Sequence, residues 1–411
     1  MGLDVEWIEE IGDFEVPWQE CGAEWLDKMH ELSGYSGSAG YTTEGQIGGP
    51  VLVELQPDGS GPGNPRVLII PRDDGRVTVA LAGSLPKAGE AVKSHWLDIA
   101  QQATSALSIP DSAHKWTALI GQKPSQVSYP TVKLGADSRA CQMSLTQSET
   151  ALVEPVVNTV SSLNSWHMMV SFPIEVRGTA TARTWQDAEK KAARDVNRLA
   201  ALLSLAWDTP IDVRDRPSLT TSRVPRETPR YPHWSREIPV ELPAESQFLT
   251  VSVPAWLGDA WKKLNGSRKL DSALAMHMEG VRILDNHPSL ALVSFVSCIE
   301  AISLMIYRED RCSACRGHVR IADKFRETLK RVASDSEATY LHRVYNDRSR
   351  TVHDGRLHGG EMWLGLHRFG IISPPEAEFT REVVRRMQSA SAKLLLLAAQ
   401  SGLPQARIHL D

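Results

Sequence analysis

The chain has 411 residues, which is enough for two or three domains with a substantial core. Its hydrophobic content of 42% and charged content of 23% are typical of a globular protein. A formal net charge of -5 argues against a protein that coats nucleic acid along its whole surface, although it leaves room for a local basic cleft. Five cysteines in so long a chain do not form a disulfide framework, and the acidic start lacks a signal-peptide pattern, so we expect a cytoplasmic protein.

The first 207 residues are predicted to form a mixed α/β region. Its β-prone runs are Val51–Leu55, Val67–Ile70 and Val77–Leu81. The last two flank Asp73-Asp74-Gly75, a hairpin-type turn. Its glycine-rich runs are not followed by Gly-Lys-Ser/Thr and are interpreted as surface turns rather than a phosphate-binding loop. We assign this region a sensing or regulatory role with an unknown trigger ligand.

A long amphipathic helix is predicted at the end of this region. Thr184 and Asp187 resemble a capping box at its start. An apolar stripe follows at spacings of three and four residues: Ala188, Ala192, Val196, Leu199, Leu203 and Trp207. Most of the basic residues of this helix lie off the stripe: Lys190, Lys191, Arg194 and Arg198. We favour a solvated outer face for them over an RNA-binding face.

Prolines crowd between residues 208 and 255, which predicts an extended connector and places the domain boundary there. Residues 256–411 are helical in character. Helices are expected over 270–284, from Pro288 through Glu300, and over 318–332, 337–353 and 375–400. Five helices with short joints indicate a bundle, so the fold class is α+β. The run from Ser289 to Tyr307 is almost long enough to span a membrane, but it contains Glu300 and is interpreted as a core helix.

Residues 311–356 contain eleven basic side chains against six acidic ones. Such a surplus in a chain of negative net charge fits a polyanionic ligand, and a basic helix surface without a ligand is the alternative. Within this stretch Arg348 and His353 are five residues apart. On a regular helix they point about 140° apart, so they share a site only if the helix ends there or if each faces a cleft formed with a second copy. Asp354-Gly355 supplies a possible helix end.

Three features occur in a characteristic order between about residues 265 and 400. They are the helix containing Leu270–Leu274, the apolar helix Ser294–Ile302 with Glu300 embedded in it, and the Arg-x4-His motif from Arg348 to His353. This region resembles the HEPN superfamily, and within it the Apea-like HEPN group. The resemblance implies a helical bundle that forms a homodimer and, in many members, a metal-independent endoribonuclease whose two Arg-x4-His motifs face each other.

The resemblance also implies roles for individual residues. His353 would act as the general acid or base at the ribose 2′-hydroxyl or the leaving 5′-oxygen, since the unperturbed pKa of histidine is about 6.5. Arg348 would hold the scissile phosphate and stabilise the charge that develops on it. Glu300 would orient Arg348 or take no catalytic part. The residues assigned to RNA contacts are Ser349, Arg350, Arg343 and Asp347, with local pairing as the alternative for Asp347.

Cys312 and Cys315, with His318 three residues further on, fit half of a zinc site. Completing the site would require His342, His358 or a second copy. Unpaired thiols are favoured over a structural zinc, and zinc over a redox pair, so no cofactor is expected.

The resemblance therefore implies a HEPN-type endoribonuclease acting on RNA, with transfer RNA as a candidate substrate, in antiphage defence or toxin-like growth arrest, and we expect it in the cytoplasm. The alternative is a non-catalytic HEPN module for dimerisation or RNA binding, with the same regulatory N-terminal region. No membrane association is expected.

Overall fold

The computed structural model describes residues 6–33, 39–42, 52–55, 65–72, 76–83, 87–108, 111–123, 130–148, 151–157, 166–219, 248–285, 287–308, 311, 318–354 and 375–408, with only the backbone for residues 346–354 and for some other positions. The chain divides into two compact units. The first comprises Met1–Trp116, Thr179–Ala192 and Leu219–Arg223, and the second comprises Thr117–Gly178, Ala193–Ser218 and Val224–Asp411. Helices and strands both contribute extensively, which confirms the α+β class.

The first unit is a five-stranded antiparallel sheet with two helices. Its elements are β1 (Trp7–Glu15), α1 (Trp18–Ser33), β2 (Ala39–Thr42), β3 (Leu52–Leu55), β4 (Arg66–Pro71), β5 (Arg76–Gly83) and α2 (Glu90–Ala106). The strand order is β1-β5-β4-β3-β2. β4 and β5 pair antiparallel from Arg66 opposite Ala82 to Pro71 opposite Val77, which confirms the predicted hairpin.

The core of this unit lies where α1 and α2 cover one face of the sheet. Val77, Val79 and Leu81 alternate along β5 and are fully buried, as a strand period of two requires. Trp25 from α1 and Trp96 from α2 complete this core. Trp25 donates a hydrogen bond from Nε1 to Thr104 Oγ1 at 3.0 Å, so its polar atom is satisfied inside an apolar cluster.

The other strands form one five-stranded sheet and two pairs. They are β6 (Ser112–Gln122), β7 (Thr131–Leu134), β8 (Ser138–Ala140), β9 (Met143–Gln147), β10 (Leu152–Val157), β11 (Trp166–Ser171), β12 (Ile174–Ala182), β13 (Ile211–Leu219) and β14 (Phe248–Val251). The sheet order is β13-β6-β12-β9-β8, β10 pairs with β11, and β14 pairs with β7 in parallel. β13 and β14 lie inside the predicted connector of 208–255. Those parts of the connector therefore belong to β-structure, because partners distant in sequence supply their backbone hydrogen bonds.

Helix α3 (Trp185–Trp207) confirms the predicted amphipathic helix. The Thr184 hydroxyl accepts a hydrogen bond from the Asp187 backbone N–H at 3.1 Å, as an N-cap does. The predicted stripe is buried along its whole length. The interpretation of a solvated outer face is wrong for Arg198, whose guanidinium binds both carboxylate oxygens of Asp271 at 2.5 Å. Such bidentate pairing holds α3 against the helices that follow it in sequence.

In the described part of the second unit, six helices follow β14. They are α4 (Leu257–Gly266), α5 (Arg268–Ile283), α6 (Pro288–Ile306), α7 (Ile321–Leu329), α8 (Asp335–Asp354) and α9 (Pro375–Gln400). The predicted bounds of α8 and α9 are correct to within two residues. α7 is shorter than predicted, and α4 was not predicted, although Leu257, Ala260 and Leu264 form its buried face.

Helix α6 is the centre of this bundle. It packs against α5, α7, α8 and α9. Pro288 at its first turn and an almost continuous apolar sequence explain why it forms a helix that is buried on most sides. Among the described residues it is the one helix long and apolar enough to cross a membrane. Ten of its residues are buried against the neighbouring helices, which confirms the predicted core helix.

The bundle encloses a histidine side chain. His277 of α5 is 3% exposed, and its Nδ1 lies 2.8 Å from Ser391 Oγ of α9. The Ser391 hydroxyl donates to the Gln388 carbonyl at 2.8 Å, so the contact with His277 requires the imidazole to donate from Nδ1. Burial lowers the pKa of His277 to about 4. The charged side chains that line the adjoining cavity are Asp208, Arg385 and Lys393.

This burial makes the stability of the protein dependent on pH. Between pH 6.5 and 4 the unfolded chain protonates His277 and the folded protein does not, so stability falls as the pH is lowered through this window. The loss attributable to this residue is about 2 kcal/mol at pH 5. Urea unfolding at pH 7.5 and pH 5 should therefore show a smaller difference for His277→Gln than for wild type. His95→Gln, at an exposed position of α2, is the control, and an unchanged difference in His277→Gln would contradict the assignment.

Candidate functional site

The stretch that carries Arg348 and His353 forms the last two turns of α8. The helix begins after Ser334, whose hydroxyl accepts from the Glu337 backbone N–H at 3.3 Å. Ser334 and Glu337 have the spacing of a capping box, and Asp335 adds a second acid near the positive end of the helix dipole. The helix is continuous through His353 and ends at Asp354. Side-chain positions of Asp347, Arg348, Ser349, Arg350 and His353 lie outside the described part of the chain.

α8 is held in the bundle by an apolar face and by contacts of Tyr345. Ala338, Leu341 and Val344 are buried at spacings of three residues. Tyr345 packs on the Phe325 ring of α7, with the ring centroids 5.0 Å apart and the planes at 54°. Its hydroxyl donates to Glu300 Oε1 of α6 at 2.5 Å. The position of α8 along α6 is therefore set by a charge-assisted hydrogen bond as well as by packing.

Glu300 was predicted to orient Arg348 or to take no catalytic part. Among the described side chains, its contact on α8 is the hydroxyl of Tyr345. Tyr345 lies one helical turn before Arg348, so Glu300 is brought beside the turn that precedes the motif. The single acid in the apolar helix thus has a structural role in this part of the site.

His342 is a further member of this cluster. Its ring stacks on Tyr345 with centroids 6.3 Å apart and an interplanar angle of 17°. Burial and, to a lesser degree, the Arg326 guanidinium lower the pKa of His342. Its Nε2 is buried and has no hydrogen-bond partner among the described residues. From the sequence, His342 was predicted only as a candidate zinc ligand, although its position three residues before Tyr345 places both on one side of the helix.

The predicted basic patch is partly neutralised. Glu327 lies 2.9 Å from Lys330 Nζ and 3.4 Å from Arg326 Nε, and Asp323 lies 3.9 Å from Arg320 Nε. Arg343, which was assigned to RNA contacts, is exposed on α8. These pairs neutralise individual basic side chains locally, while the surplus of basic over acidic residues stays as the sequence count gives it.

The zinc hypothesis concerns Cys312 and Cys315, which lie outside the described residues. Within the described ranges there is no group of three or more His, Cys, Asp or Glu side chains that could hold a metal ion.

The fold and site together define an α+β protein in which a helical bundle carries the sequence pattern Arg-x4-His at the end of one of its helices. Comparison of the chain with protein-family profiles, with curated proteins and with solved structures finds no match.

The bond between Tyr345 and Glu300 can be measured by a double-mutant cycle. Tyr345→Phe keeps the ring on Phe325 and removes only the hydroxyl, so we expect a loss of about 1–3 kcal/mol in the free energy of unfolding. In a Glu300→Gln background the same replacement should cost at least about 0.5 kcal/mol less, because the charged acceptor is already gone. Equal costs in both backgrounds would show that the hydroxyl does not act through Glu300.

Proposed function

We propose that the protein is a metal-independent endoribonuclease of the HEPN type that acts as a homodimer in the cytoplasm, in antiphage defence or toxin-like growth arrest. The observation that carries this proposal is the attachment of α8 to the central apolar helix α6. The acid embedded in α6, Glu300, binds the helix of the Arg-x4-His motif one turn before the arginine. Two of the three features that carry the family resemblance are therefore neighbours in the fold.

Helical geometry supports a dimer. α8 continues as a helix through both motif residues, so at about 100° per residue the Cα positions of Arg348 and His353 are about 140° apart around its axis. Tyr345, which points to α6, lies between them, about 60° from Arg348 and about 80° from His353. Within one subunit, α8 therefore places Arg348 and His353 on different sides of its axis. A site composed of two copies can bring an arginine of one subunit to a histidine of the other.

In this mechanism His353 removes the proton of a ribose 2′-hydroxyl, whose oxygen attacks the adjacent phosphorus. The bond from phosphorus to the 5′-oxygen breaks, and a proton from the imidazolium of the partner subunit's His353 goes to that oxygen. The products are a 2′,3′-cyclic phosphate and a 5′-hydroxyl. Arg348 binds the phosphate oxygens, where a permanently charged and planar guanidinium stabilises the added negative charge. The first unit, with its separate core, would sense the trigger and restrain the bundle.

The test is cleavage of transfer RNA by the purified full-length protein in EDTA, followed by analysis of the new ends. We expect cleavage without metal and 3′ ends that are blocked until the cyclic phosphate is removed. Ends with a free 3′-hydroxyl, or activity that requires a divalent cation, would contradict the mechanism. RNA binding without cleavage, together with wild-type affinity in His353→Ala, would instead favour a non-catalytic HEPN module.

A further inference from the structure

A second candidate site lies at the end of α6, away from the motif residues in sequence. A cavity of about 520 Å³ is lined there by the start of α5, the end of α6, α7 and the segment that follows α9. The residues that matter for its chemistry are Lys269, Leu304, Tyr307, Arg308, Lys324 and Gln405. Its volume is in the range of small-molecule binding sites, about 300–1,000 Å³.

Backbone contacts hold the walls of this cavity in place. The Ala406 N–H donates to the Ile306 carbonyl at 3.0 Å, which fixes the C-terminal segment against the last turn of α6. Ser267, another lining residue, caps α5 by accepting from the Leu270 N–H at 3.3 Å. Lys324 of α7 is 2% exposed, so it belongs to the wall rather than to the surface. The cavity is thus built from ordered elements.

The charged side chains of the described lining are all basic. They are Lys269, Arg308 and Lys324, and no carboxylate is among the lining residues that the structure describes. Arg331 adds a fourth cation behind the wall, 5.6 Å from the centre of the Tyr307 ring. An anion that enters the cavity is attracted by Lys269 and Arg308.

Arg308 lies beside a neutral side chain, the amide of Gln405. With this amide turned so that its oxygen faces Arg308, the oxygen lies 3.0 Å from Nε, 3.1 Å from Nη2 and 3.2 Å from Nη1. An amide carries no net charge, so this contact leaves the positive charge of the guanidinium in place. Its planar donor groups suit phosphate oxygens better than a single ammonium would.

We propose that this cavity binds a nucleoside phosphate, with the phosphate on Lys269 and Arg308. Leu304, which is 40% exposed, and the neighbouring Met305 and Leu403 supply apolar surface for the base. The site is independent of the proposed ribonuclease chemistry, because none of its residues belongs to the Arg-x4-His motif.

The experiment is titration calorimetry of the full-length protein with ATP, pyrophosphate and adenosine as probes. We expect ATP to bind, pyrophosphate to compete with it, and adenosine to bind at least about 10-fold more weakly, because the cations recognise phosphate. Competition by pyrophosphate and not by adenosine identifies the phosphate as the group recognised. Equal binding of ATP and adenosine, or no ATP binding at millimolar concentration, would overturn the proposal.

The decisive variant is Gln405→Glu, which keeps the size of the side chain and places a carboxylate on Arg308. We expect ATP affinity to fall at least about 10-fold, since the guanidinium is then paired and the cavity gains a negative charge. Gln101→Glu, at an exposed position of α2, adds the same charge elsewhere and should leave the affinity unchanged. Lys269→Met, with Lys262→Met as its control, tests the cavity from a second side. ATP affinity within twofold of wild type in both Gln405→Glu and Lys269→Met would sink the proposal. RNA cleavage is measured in a separate assay, so this outcome is distinguished from a failure of the proposed ribonuclease activity.

Discussion

Alanine at His353 is expected to lower the rate constant of transfer RNA cleavage by about 100- to 10,000-fold, which is the usual contribution of a general acid or base. Alanine at Arg348 is expected to cost about 100- to 1,000-fold, because it removes charge stabilisation from the transition state. Both rates are measured in EDTA under single-turnover conditions with enzyme in excess. We expect the rates to fall because the reacting groups are lost and not because the protein unfolds, since both residues lie in the last two turns of α8, near its end.

His95→Ala, an exposed histidine of α2, is the matched control and should cleave at the wild-type rate. The double variant Arg348→Ala/His353→Ala should cleave at most about tenfold more slowly than the slower single variant, because groups that act as a unit do not have additive effects. Full activity in either single variant, with melting temperatures unchanged, would exclude the proposed mechanism.

Phe295→Ala is expected to cost about 3–5 kcal/mol of the free energy of unfolding of the bundle, the largest stability effect anticipated for a single residue. Phe295 is fully buried on α6, and its ring lies 5.4 Å from the His277 ring of α5. Removing it would leave a cavity at the centre of the packing between α5 and α6. Urea unfolding followed by circular dichroism measures the loss. A cost below about 1 kcal/mol would show that the neighbouring side chains fill the space.

Gly280 tests the same contact from the opposite side. A Cβ atom there would lie 2.6 Å from Cε1 of Phe295 and 2.9 Å from two further ring atoms. Gly280→Ala should therefore destabilise by about 1–3 kcal/mol despite the better helix propensity of alanine. Gly258 of α4 has open space around its Cβ position, so Gly258→Ala should stabilise by up to about 1 kcal/mol. Equal effects of the two replacements would show that the ring yields without cost.

The helices of the bundle could be predicted where their signals are local. α6 combines a proline at its first turn with a long apolar run, and α8 and α9 have clear periodicity and bounded ends. The hairpin of β4 and β5 follows from two β-prone runs around an Asp-Gly turn. α4 was not predicted because its apolar pattern extends over only ten residues and directly follows a proline-rich stretch.

The division into units could not be predicted from composition. β13 lies in a proline-rich stretch that indicated a connector, yet it is the edge strand of the five-stranded sheet. An edge position tolerates Pro217, since a proline on one side of an edge strand need not donate a hydrogen bond. Pairing partners in a sheet are distant in sequence, so local patterns do not identify them.

By itself the sequence determined the helical character of the second half and the Arg-x4-His spacing, because periodicity and motif spacing are properties of neighbouring residues. Only the tertiary structure decided that Tyr345 of α8 binds Glu300 of α6. It alone also gathered Lys269, Arg308, Lys324 and Gln405 around one cavity. These groups are between 16 and 136 positions apart in the chain, and packing of the helices around α6 is what brings them within reach of one ligand.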